Sequence, residues 1–575
     1  MSDGVKHDEA VAVEQPLSYR SPFTVVDALP PGYSGKPAGE PERKTISFTI
    51  DGAEVHAPEG IMLVDAAKYG GVEIPVFCYE PKLGAPVGAC RMCLVEIEGI
   101  PKLQTACSTP VRDGMAVITK SPRVTEARNG VVEFLLLNHP LDCPVCDKGG
   151  ECPLQDISFG WGRGESRMSE PKRHFEKPVA LSPSIAIDRE RCILCYRCVR
   201  FSQEVSEDYQ LVLLDRGAGA QVGTFDGTQY IAPFSGNIIE LCPVGALTSR
   251  AYRFRARPWD IEQGGSVCTL CPAQCNVCYT VRDEKVMRTL TRENAAVDDG
   301  WLCDKGRFAY QAWETDARVV TPLVRQGDEL VPAGWDVALD AAARILEQSG
   351  AKTAALAGGA TTNEEGWLLR RLMLEGLGSP HFDSRRGGEL DLDVARTLSG
   401  PSLSVAMPDV EWADALLLLD CEPVDDMPIL DLRIRKGVRR NGLKLAVASA
   451  RPSSLDANAK VTARYAPGCA GAFAQAVLAA LGEGAAAAAS GDVDDLAARA
   501  GANVADVRAA AELLTGAKRP VIVWSERMAV SPNGAAPVQA LCNLAARLKL
   551  SETDGAGLLQ VPLAANGRGL CEIGL

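Results

Sequence analysis

From Lys44 onward the chain alternates apolar and polar positions in short runs. TISFTI and AEVHA alternate with period two on either side of Asp51-Gly52, a hairpin turn signal. MLVDAAKYG, over 62–70, reads as a short helix. CLVEIEG is a further strand, and Asp113-Gly114 predicts a last hairpin. To about residue 119 the expectation is a small sheet crossed by one helix. Ser121-Pro122 then opens a helix as N-cap and first helical residue. Val124, Ala127, Val131, Leu135 and Asn138 follow at helical spacing, and Pro140 disfavours helix at His139. Regular patterning returns far downstream. TAALAG, ADALLLL, LKLAVA and PVIVW read as buried strands among helical stretches, the pattern of parallel α/β layers.

Length and composition set limits. A chain of 575 residues is too long for one core, so several domains are expected. A net charge of −14 argues against a nucleic-acid partner, which would want a basic face. No apolar run reaches the ~18 residues of a membrane span; Gly482, Glu483 and Gly484 interrupt the nearest approach, an Ala-rich helix plus linker within 472–490. The acidic N-terminus shows no signal peptide, and residues 1–43 read as a polar, Pro/Gly-rich tail. With no sign of export, the 20 cysteines suit metal ligation better than disulfides.

Sixteen of those cysteines lie between Cys78 and Cys303, and they sort into sets. The first is Cys78, Cys90, Cys93 and Cys107. Four thiolates complete tetrahedral coordination for a [2Fe–2S] cluster, and Gly84 and Gly88 let the loop wrap closely. Structural zinc usually takes two close Cys pairs, and only one is present here.

The second set is His139, Cys143, Cys146 and Cys152, in HPLDCPVCDKGGECPLQD. A lone His at a helix end is more often a cap or a surface residue. The four-residue step to Cys143, the helix that aims it and the lack of a nearby fourth cysteine argue for ligation. An imidazole in place of a thiolate removes one negative charge and should raise the reduction potential.

The third set follows from the two-cluster ferredoxin run C-x2-C-x2-C-x3-C-P, whose fourth Cys serves the other cluster. Cys192, Cys195 and Cys198 fit its first three positions, and the fourth falls on Ser202. Cys242-Pro243 fits the end of a second run, whose other positions fall on Ala232, Ser235 and Ile238. One site is thus expected to survive, from Cys192, Cys195, Cys198 and Cys242, and the other to be erased. The fourth set is Cys268, Cys271, Cys275 and Cys303, suited to another [4Fe–4S] cluster, with Cys278 able to compete. Cys421, Cys469, Cys542 and Cys571 are isolated and read as structural.

VGACRMCLVEIEG, HPLDCPVCDKGGECPLQD, RCILCYRCVRF and ELCPVGALTS, in this order, resemble the large iron–sulfur subunit (G type or chain 3 type) of bacterial NADH-quinone oxidoreductase, respiratory complex I. The resemblance covers about residue 45 to the end. It implies a multidomain α+β and α/β chain. A β-grasp [2Fe–2S] ferredoxin-type domain would span 44–120, a His-ligated 4Fe–4S segment 121–182 and a 4Fe–4S ferredoxin-like domain 183–260. A 4Fe–4S domain of the Mo/W bis-MGD type would follow over 261–320, then a molybdopterin-oxidoreductase-like α/β domain over 321–575.

The resemblance also implies one [2Fe–2S] and three [4Fe–4S] clusters. Electrons would pass from the flavin-bearing, NADH-oxidising subunit toward the quinone-site subunits of the hydrophilic arm. The order would be the first set, the Cys192–Cys242 set, then the His-ligated set, with the Cys268–Cys303 site off the path. The expected location is peripheral, on the cytoplasmic side of the plasma membrane. Lys305 keeps the position that lies between cluster and pterin in molybdoenzymes. SPHFDSRRGGELD offers no Cys for molybdenum, only Ser384, so the reading is that the fold is retained and molybdopterin absent. The chain ends at GRGLCEIGL, earlier than this architecture usually does, as expected of a truncated chain or of one without the family's C-terminal part. Some formate dehydrogenase catalytic chains share all four ligand patterns and form the rival reading. Iron-only hydrogenases share the N-terminal sets, but no late cysteine cluster follows here. A zinc scaffold is a third reading.

Overall fold

Five short strands build the first sheet of the computed structural model, which describes residues 37–575 apart from 178, 314, 316, 385–391, 399, 483–490 and 531–534. Most of the expected tail and the Ala-rich linker after Gly482 lie outside the described residues. The chain divides into two compact units. The first holds Pro41–Gln263 and Thr280–Arg288, the second Gly264–Tyr279 and Thr289–Leu575.

In the first unit, β1 (Thr45–Ile50) and β2 (Ala53–Pro58) form the expected antiparallel hairpin. Asp51 and Gly52 turn it, both with positive φ. Helix α1 (Leu63–Tyr69) follows, then β3 (Leu94–Ile97), β4 (Ile100–Thr105) and β5 (Ala116–Ile118). The sheet order is β2-β1-β5-β3-β4. Asp113-Gly114 therefore does not close a hairpin, contrary to the sequence expectation. It carries the chain into the middle of the sheet, where β5 runs parallel to β1 and antiparallel to β3. The turn is fixed by β1 itself: the Ser47 amide donates to Asp113 Oδ1 at 3.0 Å, and the Gly114 amide to Ser47 O at 2.8 Å. Phe48, Ile50, Leu63, Val95 and Val117 fill the core beneath, each at most 1% exposed. Burying a side chain of this size contributes about 1.5–3 kcal/mol.

Helix α2 spans Pro122–Leu136, with the Ser121 hydroxyl accepting from the Val124 amide at 3.2 Å. Its fully buried stripe is Val124, Arg128 and Val132, while Ala127, Val131 and Leu135 are only half-buried. The expected apolar face is thus rotated by about one residue, because Arg128 turns inward to donate to Leu94 O through Nε and Nη2, at 3.2 and 3.0 Å. Helix α3 (Pro153–Trp161) follows the next cysteine loop. Beyond it, β6 (Val179–Ala180), β7 (Ile185–Ile187), α4 (Arg197–Glu204), β8 (Leu211–Leu214), β9 (Gln221–Thr224), α5 (Asn237–Leu241) and β10 (Leu247–Ser249) form a small α+β module. Its three-stranded sheet has the order β10-β7-β6.

The second unit is built on five parallel strands. In spatial order they are Val461–Arg464, Lys444–Ser449, Ala415–Leu419, Pro520–Ser525 and Gly557–Val561. Every residue of the central strand Ala415–Leu419 is 0% exposed. Apolar faces of helices Ala470–Ala480, Val504–Thr515 and Ala535–Arg547 join the same core, the covering that a parallel sheet requires. Three of the four expected strands lie here. The fourth, TAALAG, contributes only Ala355–Leu356, which pairs with Phe382–Asp383 in a separate two-stranded sheet. Among the described residues no helix is long and apolar enough to cross a membrane.

Candidate iron–sulfur sites

The first set closes within one loop system. The Cys78 thiol hydrogen-bonds to those of Cys90 and Cys107, and the Cys93 thiol to that of Cys107. Backbone amides point at the same sulfurs: Cys78 N to Cys90 Sγ, Cys90 N to Cys78 Sγ and Cys107 N to Cys93 Sγ, each at 3.5 Å. Such donors favour anionic sulfur. Gly84 and Gly88 both have positive φ, as the close wrapping of the loop requires.

In the third set, α4 starts two residues after Cys195 and carries Cys198, while Cys242 follows the end of α5. Burial pushes the thiols up, Cys192 to about 12 and Cys195 to about 11, and the neighbouring thiols push the same way. The fourth set behaves alike: burial raises Cys268, Cys271 and Cys275, and takes Cys303 to about 11. Four buried thiolates repel one another and cannot all ionise unless cations share the site. That donor chemistry fits iron bound among them. The Lys305 charge acts on Cys268 and Cys271, and the Gly306 amide donates to Cys303 Sγ at 3.4 Å. Cys278 is buried on the following strand, and its thiol faces the Tyr279 carbonyl at 3.9 Å. The Ser384 hydroxyl donates to Leu575 O at 2.9 Å.

The second set is looser. Cys146 and Cys152 are buried, while Cys143 is exposed. The charge of Cys143 acts on Cys146, and that of Cys146 acts on Cys152, so the three thiols neighbour one another in turn. His139 stands three residues past α2, its amide bonded to Leu136 O at 3.2 Å. Its ring is not drawn into hydrogen-bond contact with the thiols, and its Nδ1 is buried without a partner. Burial, helped by the charges of Lys172 and Arg191, pushes its pKa down to about 4. A neutral imidazole with an unused buried nitrogen suits ligation. It lines a cavity of about 610 Å³ that also exposes Cys192, Ile193 and Leu194.

Non-glycine residues with positive φ sit inside three of the loops: Arg91, then Leu194 and Tyr196, then Gln274. Such backbone persists only where its surroundings hold it, and it clusters at ligand clamps. Among the described residues no three His, Cys, Asp or Glu side chains converge closely enough for a single metal ion. A [4Fe–4S] cluster, by contrast, takes each ligand on a different iron, and a [2Fe–2S] cluster takes two on each.

Curated proteins match nearly the whole of this chain. The G-type subunit of NADH-quinone oxidoreductase from Streptomyces coelicolor is 38% identical over 574 residues, covering 96% of this chain. Its counterpart from Mycobacterium tuberculosis is 40% identical over 546 residues, covering 93%. Over most of its length the chain is similar to subunits named G of NADH-quinone oxidoreductase. It spans 64% and 63% of the length of those two relatives. The NADPH-Fe(3+) oxidoreductase subunit alpha of Geobacter sulfurreducens is also similar, 34% identical over 92% of this chain and 65% of its own length.

Family models match the segments one by one. A 2Fe-2S iron-sulfur cluster binding domain covers 43–122, and an NADH-ubiquinone oxidoreductase-G iron-sulfur binding region covers 128–167. The ferredoxin-like domain of NADH-quinone oxidoreductase subunit 3 covers 182–248. A molybdopterin oxidoreductase Fe4S4 domain covers 265–314 and molybdopterin oxidoreductase 318–574. The chain therefore has 2Fe-2S ferredoxin, 4Fe-4S and molybdopterin-oxidoreductase-like domains, the fold class expected from the sequence.

Two features of this fold escaped the sequence reading. Where the ferredoxin run loses its fourth Cys, Ser202 is 0% exposed, and its hydroxyl donates to Asp208. Asp208 also accepts from Ser206 Oγ at 2.5 Å and Tyr230 OH at 3.1 Å. A satisfied polar network thus surrounds the position of the missing thiol. The second feature is a group of arginines that grip cysteine loops by their carbonyls. Arg257 Nη1, for instance, donates to Cys146 O at 2.6 Å. For the arginines of RCILCYRCVR the sequence signal was nearness to cysteine, whereas Arg257 stands 11 residues from Cys268.

Proposed function

We propose that this chain is an electron-transfer subunit of NADH-quinone oxidoreductase. It would take single electrons from the flavin-bearing, NADH-oxidising subunit and pass them toward the quinone-site subunits. We assign one [2Fe–2S] cluster to Cys78, Cys90, Cys93 and Cys107. Three [4Fe–4S] clusters go to His139, Cys143, Cys146 and Cys152; to Cys192, Cys195, Cys198 and Cys242; and to Cys268, Cys271, Cys275 and Cys303. Bound there, the clusters supply one-electron transfer, chemistry that no side chain offers. The domain limits follow the sequence reading: 44–120, 121–182, 183–260, 261–320 and 321–575. The molybdopterin-like domain is read as having lost its metal chemistry, and the subunit as lying peripherally on the cytoplasmic side of the membrane.

One observation carries the relay: three cysteine sets adjoin in series within the first unit. The Cys78 loop is hydrogen-bonded to α4, the helix that carries Cys198, through Arg197 to Tyr79 O and Arg200 to Cys78 O. Cys152 Sγ lies 3.7 Å from Pro243 O, beside Cys242. The Cys192–Cys242 set thus stands between the other two. The chain's own residues hold this order, through Arg197 and Arg200 and through Arg191, which pairs with Asp142 beside Cys143, and bury most of the ligands from water.

The test is electron paramagnetic resonance of the reduced protein with iron and molybdenum assay. About fourteen iron atoms per chain are expected, from one binuclear and three cubane clusters. About four zinc ions instead would sink the reading, and bound molybdenum with formate-dependent dye reduction would favour the formate dehydrogenase alternative.

A further inference from the structure

Helix α4 carries two buried arginines, Arg197 and Arg200, 8% and 7% exposed. Both reach across to the loop that bears Cys78. Arg197 Nη2 donates to Tyr79 O at 2.5 Å. Arg200 Nη2 donates to Ala85 O at 2.6 Å and Leu83 O at 3.2 Å, with Nη1 at 3.5 Å from Cys78 O. Arg197 also touches the other side: its Nη1 donates to Leu241 O, the residue before Cys242, at 3.5 Å. One guanidinium therefore bonds the backbone next to a ligand of the first set and next to a ligand of the third.

Its charge is the unusual part. Among the described residues no carboxylate pairs with Arg197, and its Nε is buried without a hydrogen-bond partner. A buried cation normally needs a counter-charge. Negative charge would come from the proposed ligands, Cys195 two residues before it and Cys198 beside it. Carbonyl dipoles from two loops complete the cage.

We propose that Arg197 is a positioning residue for the relay. It fixes the Cys78 loop against the Cys192–Cys242 site, and its charge eases reduction of the cluster held there. The proposal rests on reading these two sets as iron–sulfur ligands. A lysine keeps the charge but loses the fork that spans both loops. A glutamine or methionine loses both.

The experiment uses the full chain within its purified complex, with Arg197→Gln, Arg197→Met and Arg197→Lys. Iron content is assayed, and reduced clusters are titrated by electron paramagnetic resonance, including the broadening caused by their mutual magnetic interaction. With iron retained, the midpoint potential assigned to the Cys192–Cys242 cluster should fall in the Gln and Met variants. It should stay near the unmodified value in the Lys variant. The magnetic interaction with the [2Fe–2S] cluster should change in all three. Unmoved potential and interaction in Arg197→Gln, with iron intact, would overturn the proposal. So would a Lys variant whose potential falls as far as that of Gln. If the unmodified protein shows no iron–sulfur signals from these sets, the underlying reading fails and takes the proposal with it.

Discussion

The Cys146 sulfur lies against Gly245. A Cβ at position 245 would collide with Cys146 Sγ and sit 3.4 Å from Lys148 Cβ. No side chain fits there while the thiol keeps its place. Gly245→Ala should displace Cys146 and empty the His139 site. The expected result is a loss of about four iron atoms and one cubane signal, with the other signals kept. Full iron content in this variant would remove Cys146 from the ligands.

His139 offers a second handle. His139→Cys should keep a cluster but lower its potential, since thiolate adds a negative charge. His139→Ala should lose or loosen it. Redox titration separates the two outcomes, and unchanged spectra in both variants would strike His139 from the set.

The network around Asp208 predicts a change in stability without a change in metal. Asp208→Ala removes the acceptor that Ser202, Ser206 and Tyr230 share in the interior. Chemical denaturation should show a loss of about 2–4 kcal/mol, with iron unchanged. Ser202→Cys should add no iron, because Ala232, Ser235 and Ile238 supply no partner thiols.

Asp420 gives a pH dependence. Burial raises its pKa above the usual carboxylate range, although Tyr465 OH donates to its Oδ1 at 3.0 Å. The native state therefore holds a proton that the unfolded chain releases. Its contribution is fully present below the ordinary carboxylate pKa and is lost as pH rises through the raised value. Asn tolerates the positive φ of 53° at this position and can still accept from Tyr465. Asp420→Asn should abolish this part of the decline. Denaturation midpoints at acid and neutral pH check it: equal pH slopes in both proteins would refute the assignment.

The proposed cysteine sets were drawn from spacing because most of their members stand close along the chain, where separation in sequence nearly fixes separation in space. The β1–β2 hairpin was legible for the same reason, through Asp51-Gly52. The central strands Ala415–Leu419 and Pro520–Ser525 announced themselves as continuous apolar runs, since both faces are covered. The outer strands Val461–Arg464 and Gly557–Val561 did not, because an edge position tolerates polar residues and glycine.

Sequence alone thus determined the kinds of domain and their order, and it is the source of the proposed ligand sets. Tertiary structure decided what no local spacing encodes. It placed β5 between β1 and β3, filled the lost thiol's surroundings with Asp208, and carried Arg197 to Tyr79 across 118 residues of chain. Those contacts depend on long-range packing, in which residues distant in sequence share one buried space and must satisfy one another's charge and hydrogen bonds.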